Sequence, residues 1–475
     1  MENIEDANLD NLINNEDDKT KSSQDKKKKI ILAIVIVSCI IIVGVVIFLI
    51  VYFSRGPNYD NGGKDPEHAF YGCMVDAGSS SSRVSVYRWP ERKKNTIPFI
   101  TEMNRTSTKP GMHKMTDSQI ENAMDTLINF CKNKVMELSN NKTNLKDVNF
   151  YLKGTAGMRS ISVEEQNRKL GIIRRKIRES NLNFLSDEWA KVIKGTEEGI
   201  YGWIAGNYLN KILFENEEAG KQKKVPYGSI DLGGYSLELT FGTNEVIKEN
   251  NFTLNLSNVN YNLYTYSFYD YGQDRFNEIM LESFIDDYQA EEENVIKYPC
   301  FLEGYRTLHE YKGKTYIIEG DVNISLCKEY IRKNLKINEE PDKSMNNVYQ
   351  PKIPEDLKFY GISGLYWIAN FYKMDDDNFH SASEFLDAGA KFCNKKWEDA
   401  KKEYPDIEEG HLKDYCISAH FVYYFIVDGF KIDKDKKIFS FRDEINDVEL
   451  SWTLGAMSYE IGLQPLKDAK YYLKF

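Results

Sequence analysis

A chain that carries one short hairpin pattern twice has few folds open to it. Residues 229–241 read Ser-Ile-Asp-Leu-Gly-Gly-Tyr-Ser-Leu-Glu-Leu-Thr-Phe. An apolar approach over 225–230 leads to Asp231, a glycine pair, and then alternating Leu237, Leu239 and Phe241. That is strand, tight turn, strand, with a carboxylate where the first strand ends. Residues 74–87 repeat the layout: Met-Val, then Asp76, then Ala-Gly and four serines, then Arg83, Val84, Val86 and Tyr87. Gly233 and Gly234 permit positive φ and leave bare N–H groups that can close on a phosphate. Gly78 with Ser79, Ser80, Ser81 and Ser82 offers the same with added hydroxyls. The two acids stand about 155 positions apart (231 − 76). The repeat predicts two related half-domains facing one phosphate chain.

The chain has 475 residues, room for two domains of ordinary size, and a net charge of −11. No dominant basic surface is implied, which argues against a nucleic-acid binder. Residues 1–29 are polar and have little to bury, so a disordered tail is expected. Four lysines (Lys26 to Lys29) then abut the uncharged run 30–53. At 1.5 Å per residue this run reaches about 36 Å, enough to cross a bilayer, and it exceeds the apolar part of a cleaved signal peptide. The lysine flank against a lone Arg55 predicts a single-pass, type II anchor with its N-terminus in the cytoplasm. The rest would then lie outside the cell or in a Golgi-type secretory lumen, joined by a stalk over 54–65. Five Asn-x-Ser/Thr sequons (Asn104, Asn141, Asn251, Asn255, Asn323) all follow the anchor. So do Cys73, Cys131, Cys300, Cys327, Cys393 and Cys416, whose spacing alone selects no pairing. With no CxxC and scattered histidines, disulfides are expected in place of zinc.

Beyond the first hairpin, Thr116 and Gln119 predict a capping box before a helix carrying Ile120, Met124, Leu127, Ile128, Cys131, Val135 and Leu138. A strand over 148–152 runs into Lys-Gly-Thr-Ala-Gly-Met-Arg159, and a second box, Ser162 with Glu165, opens a helix to about Arg178. Residues 189–193 read as a strand leading to Gly195, Glu197, Glu198 and Gly199 at a helix start. The stretches 242–262, 281–297 and 338–357 read as Asn-rich loop, acidic helix end and surface connection. The order indicates an α/β layered architecture.

Five stretches together resemble the apyrase-conserved regions of the nucleoside triphosphate diphosphohydrolases, or ecto-apyrases. They are DAGSSSSR (76–83), GTAGMR (154–159), GTEEGIYGWIAGNY (195–208), DLGGYSLELTF (231–241) and FYGISGLYWIANFY (359–372), in family order. Lesser matches are YSFYDYG (266–272), Pro299-Cys300 and 452–457. The resemblance spans about 66–475. It implies an actin-like, two-lobed fold of duplicated RNase-H-like lobes: lobe I over 66–194, completed by 441–475, and lobe II over 195–440.

It also implies divalent-metal-dependent hydrolysis of nucleoside tri- or diphosphates by a directly attacking water. Glu198 matches the family's base, with Ser236 and Glu238 placed to orient the water. The phosphates would be held by Gly78, Ser79, Ser80, Ser81, Ser82, Arg83, Thr155, Ala156, Gly157, Arg159, Gly233, Gly234 and Tyr235. Asp76, Asp231, Thr155 and Trp452 would hold a hydrated Ca2+ or Mg2+, and Mg2+ in particular sheds its waters reluctantly. Tyr366 and Trp367 sit where the family stacks an aromatic ring on the base, although their neighbours also fit a buried helix. Position 238 is glutamate where glutamine is usual, and an ionised carboxylate cannot donate as an amide does. Tyr235 replaces a small residue and Leu237 a threonine. The resemblance, with the compact segment each pair flanks, further implies Cys300–Cys327 and Cys393–Cys416. Cys73 and Cys131 are as compatible with packed thiols as with a bridge.

A lumenal nucleoside diphosphatase is the nearest alternative. An exopolyphosphatase would leave the aromatic pair unused, and a sugar-kinase or actin-type ATPase would lack the Glu-Gly helix start. A non-catalytic receptor would be expected to have lost Asp76, Glu198 or Asp231.

Overall fold

The computed structural model describes residues 69–91, 97–213, 224–256, 259–288, 295–339 and 344–463. The expected tail, anchor and stalk lie outside these residues. Among the described residues, no helix is long and apolar enough to cross a membrane.

The first hairpin pairs β1 (Phe70–Ala77) with β2 (Ser82–Trp89), antiparallel, with Asp76 opposite Arg83. A third strand, β3 (Thr101–Thr108), extends the meander. The sequence reading missed it because TEMNRTST is polar on both faces, as an edge strand can be. Helix α1 (Asp117–Leu138) buries the seven-residue stripe expected of it except Leu138, which packs partly buried beside it, and crosses back to β4 (Asn149–Gly154), parallel to β1. The Gln119 side chain accepts from the Thr116 N–H at 2.9 Å, closing one arm of that cap. A short turn α2 (Ala156–Arg159) and α3 (Val163–Arg178) lead to β5 (Ala190–Val192). Ser162 caps α3 by accepting from Glu165 N, whereas the Glu165 carboxylate turns to Arg168 instead of closing the box. Trp189 ends a 3-10 turn, so the strand begins one residue later than expected.

The second hairpin pairs β6 (Gly228–Leu232) with β7 (Ser236–Gly242), with Asp231 opposite Glu238. Val225, expected on the approach, is exposed ahead of the strand. The stretch read as an Asn-rich loop forms much of β8 (Asn251–Leu256) and the start of β9 (Val259–Tyr269). Leu254 and Leu256 face inward between outward asparagines, so a period of two was present beneath a loop-like composition. Helix α5 (Gln273–Tyr288) follows. Then come the small sheet of β10 (Val295–Tyr298), β11 (Arg306–Tyr311) and β12 (Lys314–Gly320), and α6 (Ile324–Asn334). The chain returns through β13 (Phe359–Ser363), parallel to β6, α7 (Gly364–Phe371), α8 (Ala382–Cys393) and α9 (Tyr415–Tyr424) to β14 (Phe439–Phe441).

The duplication is explicit in the strand orders. One sheet runs β3-β2-β1-β4-β5; the other runs β9-β7-β6-β13-β14 with β8 added outside β9. Each is a three-strand meander followed by two parallel strands, and each sheet has its own apolar core. Between them lies α4 (Gly195–Leu209), which packs on β6, β7 and β9 and on α10 (Trp452–Leu463). Lys153 of β4, with no exposed side-chain surface, pairs with Glu460 of α10 at 2.6 Å. The two-strand ribbon β15 (Glu444–Ile445) and β16 (Val448–Glu449) precedes that helix.

Cys300–Cys327 and Cys393–Cys416 are bridged, as the resemblance implied, and Cys73–Cys131 forms a third bridge tying β1 to α1. The asparagines of all five sequons are exposed.

Candidate active site

Both hairpin turns open onto one cleft of about 290 Å3. Asp76, Gly78, Ser79, Ser80 and Ser81 line it from the first sheet, and Asp231 and Gly233 to Ser236 from the second. Ser80, at the tip of the first turn, is exposed, while Ser79 and Ser81 beside it are half-buried. The two turns meet: a Cβ on Gly234 would lie 2.4 Å from the Ser79 hydroxyl. The Gly233 N–H donates to Ser236 O at 2.9 Å inside its own turn, so Gly234 and Tyr235 are the donors this loop has for a ligand. The start of α5 supports the turn from behind, Gln273 N and Arg275 N donating to the carbonyls of Gly233 and Gly234.

Glu198 enters the cleft from the first turn of α4 and is 6% exposed. Gly199 is what lets that helix start lie against β7, because a Cβ there would stand 2.6 Å from Thr240 Oγ1 and 3.1 Å from Glu238 Cβ. The Arg159 guanidinium donates to Glu198 Oε2 at 3.2 and 3.3 Å and to Ser236 Oγ at 3.1 Å. It stands 3.9 Å from Glu238 Oε1, which accepts from Ser267 Oγ at 2.7 Å. Arg159 is thus bound up behind Glu198 and does not line the cleft, unlike the phosphate contact expected of it. Gly157, Ser82 and Glu238 also lie beneath the surface: Gly157 packs on Ser79 and His113, while Ser82 and Glu238 are at most 1% exposed. Glu197 points elsewhere, accepting from Lys191 Nζ at 3.0 Å and Lys194 N at 2.9 Å.

Burial and then the charge of Glu198 push the Asp76 carboxyl up to about 7 and that of Asp231 up to about 8. Burial also raises Glu198, against the pull of Arg159. Glu238 is raised well above the carboxylate range by burial and by the charges of Glu198 and Asp231. Asp76 Oδ1 and Asp231 Oδ2 are buried with no hydrogen-bond partner. Orphaned carboxylate oxygens converging from two sheets beside Thr155 suit a hard, oxygen-seeking cation. A second cluster among the described residues, Cys393, Cys416 and His420, has both sulfurs in a disulfide and offers no thiolate.

Thr155 and Ala156 line the cleft at the start of α2, and Trp452 at the start of α10, its ring stacked on Tyr201 at 6.4 Å. Tyr366 and Trp367 also line the cleft, on α7, in edge contact at 5.1 Å. Trp367 is 57% exposed while Leu365, Ile368 and Ala369 are buried, so the helix faces both ways: core on one side, open ring on the other.

Sequence reasoning passed over several lining residues. Ser363 joins β13 to α7 at φ +59°, a left-handed conformation that costs a non-glycine residue, and its side chain partly offsets the rise of the Asp231 carboxyl. The Ile-Ser-Gly step at a strand-to-helix junction was its available signal. Arg105, Arg442, Asp443 and Glu449 also line the cleft, brought there by strand register and by the 442–451 crossing, which leave no local pattern.

A family model described as GDA1/CD39 (nucleoside phosphatase) matches residues 63–469. The chain is 28% identical over 424 residues to ectonucleoside triphosphate diphosphohydrolase 1 of Rattus norvegicus, covering 82% of this chain and 81% of the relative. It is 29% identical over 411 residues to probable apyrase 4 of Arabidopsis thaliana, covering 81% and 78%. A crystal structure of nucleoside triphosphate hydrolases from Neospora caninum shares the fold with a TM-score of 0.65 at 13% identity, covering 85% of this chain and 95% of that one.

Proposed function

From the premise that this chain belongs to the GDA1/CD39 (nucleoside phosphatase) family, we propose that it hydrolyses nucleoside tri- and diphosphates with a divalent cation. The water would be oriented by Glu198, and the site would lie outside the cell or in a secretory lumen. The observation that carries this is the convergence of Asp76, Asp231 and Glu198 on one cleft between two phosphate-sized turns.

Phosphoryl transfer asks a protein mostly for positioning and charge stabilisation. The turns at Gly78 to Ser81 and at Gly234 to Tyr235 bring hydroxyl and N–H donors to a terminal phosphate. Asp76, Asp231, Thr155 and Trp452 would hold Ca2+ or Mg2+ through its waters. When bound, the ion supplies positive charge for the phosphate oxygens. Glu198 accepts a proton from the attacking water, and Arg159 fixes the carboxylate's orientation from behind, with Ser236 on the same guanidinium. Burial and the charges of Glu198 and Asp231 favour the protonated form of Glu238, which can donate as the usual amide would, from beneath the cleft wall. Tyr366 and Trp367 offer a ring face on which any base can stack. The phosphate contacts drawn for Arg159, Gly157 and Ser82 from the resemblance become support of the loops and of Glu198.

Phosphate release from nucleoside tri- and diphosphates, and from polyphosphate, in Mg2+, Ca2+ and EDTA tests this reading. Release is expected from nucleotides only with a cation. Full activity in EDTA, or no nucleotide turnover under any condition, would reject it.

A further inference from the structure

β2 and β3 turn a charged face into the cleft that the phosphate turns do not account for. Arg83, Ser85 and Arg105 all line it. The register sets Arg83 opposite Ser107 and Ser85 opposite Arg105, so the two guanidinium groups are diagonal neighbours on one face. Glu449, at the end of β16, spans them: it pairs with Arg105 and stands 3.9 Å from Arg83. The arginines are 47% and 44% exposed, and pairs this open add little to stability. Glu102, half-buried behind the arginines, also faces both of them and Ser85, so Glu449 is the partner on the cleft side, and the guanidinium forks become available to a ligand when it turns away.

The arginine pair also has a position along the substrate path. Arg83 lies two residues beyond Ser81 of the first turn, and Arg105 sits across from the residue two further on. At about 3.3 Å per strand residue, these are successive steps away from the turn that would hold a terminal phosphate. Guanidinium forks match phosphate oxygens in paired hydrogen bonds. We propose that Arg83 and Arg105 form a second anion subsite, latched by Glu449, which takes the inner phosphates of a polyphosphate chain and makes this protein favour triphosphates over diphosphates. The bound chain displaces the Glu449 carboxylate, and no covalent step is involved. The inference rests on reading the cleft as a phosphate site and adds Arg105 and Glu449 to it.

The test is calorimetric titration of the full-length protein with methylene-bridged, non-hydrolysable analogues of diphosphate and of triphosphate, in Mg2+. Arg105→Ala should weaken the triphosphate analogue about 10-fold and the diphosphate analogue less than about 2-fold, with partial recovery in Arg105→Lys, which keeps the charge but not the fork. Glu449→Gln, freeing both arginines on the cleft side, should tighten the triphosphate analogue by about 3-fold. Thermal melts should match the parent. No binding of the triphosphate analogue by the parent, or parental or equal losses for both analogues in Arg105→Ala, would overturn the subsite. Weaker binding in Glu449→Gln would overturn the latch. Binding is read without turnover, so absence of hydrolysis would not touch this result, and loss of the subsite would leave hydrolysis standing.

Discussion

Glu197 and Glu198 begin the same helix, yet their surroundings separate them completely. Glu197 is tied to Lys191 and to the Lys194 N–H at the rim, whereas Glu198 is buried, gripped by Arg159 and open only to the cleft. A helix dipole favours both alike and predicts small, similar effects for either change. The proposed mechanism predicts a split: Glu198→Gln should lower kcat by about 100-fold or more with KM nearly unchanged, and Glu197→Gln should stay within about 3-fold. Phosphate-release kinetics on the two variants decide it; equal losses would remove Glu198 from the chemistry. Glu238 gives the converse case. Its carboxyl is raised well above the ordinary carboxylate range by burial and by the charges of Glu198 and Asp231, which favours the protonated form, and rising pH favours its loss. Glu238→Gln should therefore retain most of the turnover, within about 3-fold, and lose the alkaline decline of the parent's pH profile. An inactive Glu238→Gln across the profile would show that the charge, and not the donor, is needed. The turns mark Asp76 and Asp231 in the sequence, whereas only the resemblance separates Glu198 from Glu197 at the helix start. What Arg159 touches was not legible there, since Ile193, Glu198 and Ser236 reach it from three separate elements.

Among elements, the pair α4 and α10 carries Glu198 and Trp452 to the same cleft. Their closeness depends on Gly455, where a Cβ would stand 1.8 Å from the Tyr201 carbonyl oxygen. Gly455→Ala must push the helices apart and should cost about 1–3 kcal/mol, read as a lower urea midpoint, with turnover falling further than stability alone explains. A variant with parental midpoint and turnover would show that the interface yields without consequence. The sequence announced α1 and α3 through their 3.6-residue stripes and caps, and the two hairpins through their turn chemistry. It concealed β3, which is polar on both faces, and β8 with the start of β9, whose asparagines mimic a loop. The closeness of α4 to α10 was hidden for a different reason: it joins residues some 250 positions apart, and only the repeated strand order brings them together.

At the scale of the molecule, two sheets press four carboxyl groups, Asp76, Glu198, Asp231 and Glu238, toward one another, with Arg159 between Glu198 and Glu238. Without a cation the folded state raises Asp76 to about 7 and Asp231 to about 8, from 3.8. The sign follows from proton counting. Between pH ~4 and ~8 the folded protein binds more protons at these groups than the unfolded chain, so raising pH through that window removes stability. A hard cation held by the ionised carboxylates of the folded state would stabilise it by mass action, increasingly as pH rises and protons cease to compete. Thermal melts in EDTA should therefore fall from pH 5 to pH 8, and the gain on adding excess Mg2+ or Ca2+ should be small at pH 5 and several degrees at pH 8. A surface charge effect would instead weaken with added NaCl and scarcely distinguish Mg2+ from an equal ionic strength of salt. Asp76→Asn with Asp231→Asn should melt higher than the parent in EDTA at pH 8 and lose the response to cation. If that double variant still gains the parental increment from Mg2+, the ion binds elsewhere, and the pairing of the two hairpin acids around it is wrong.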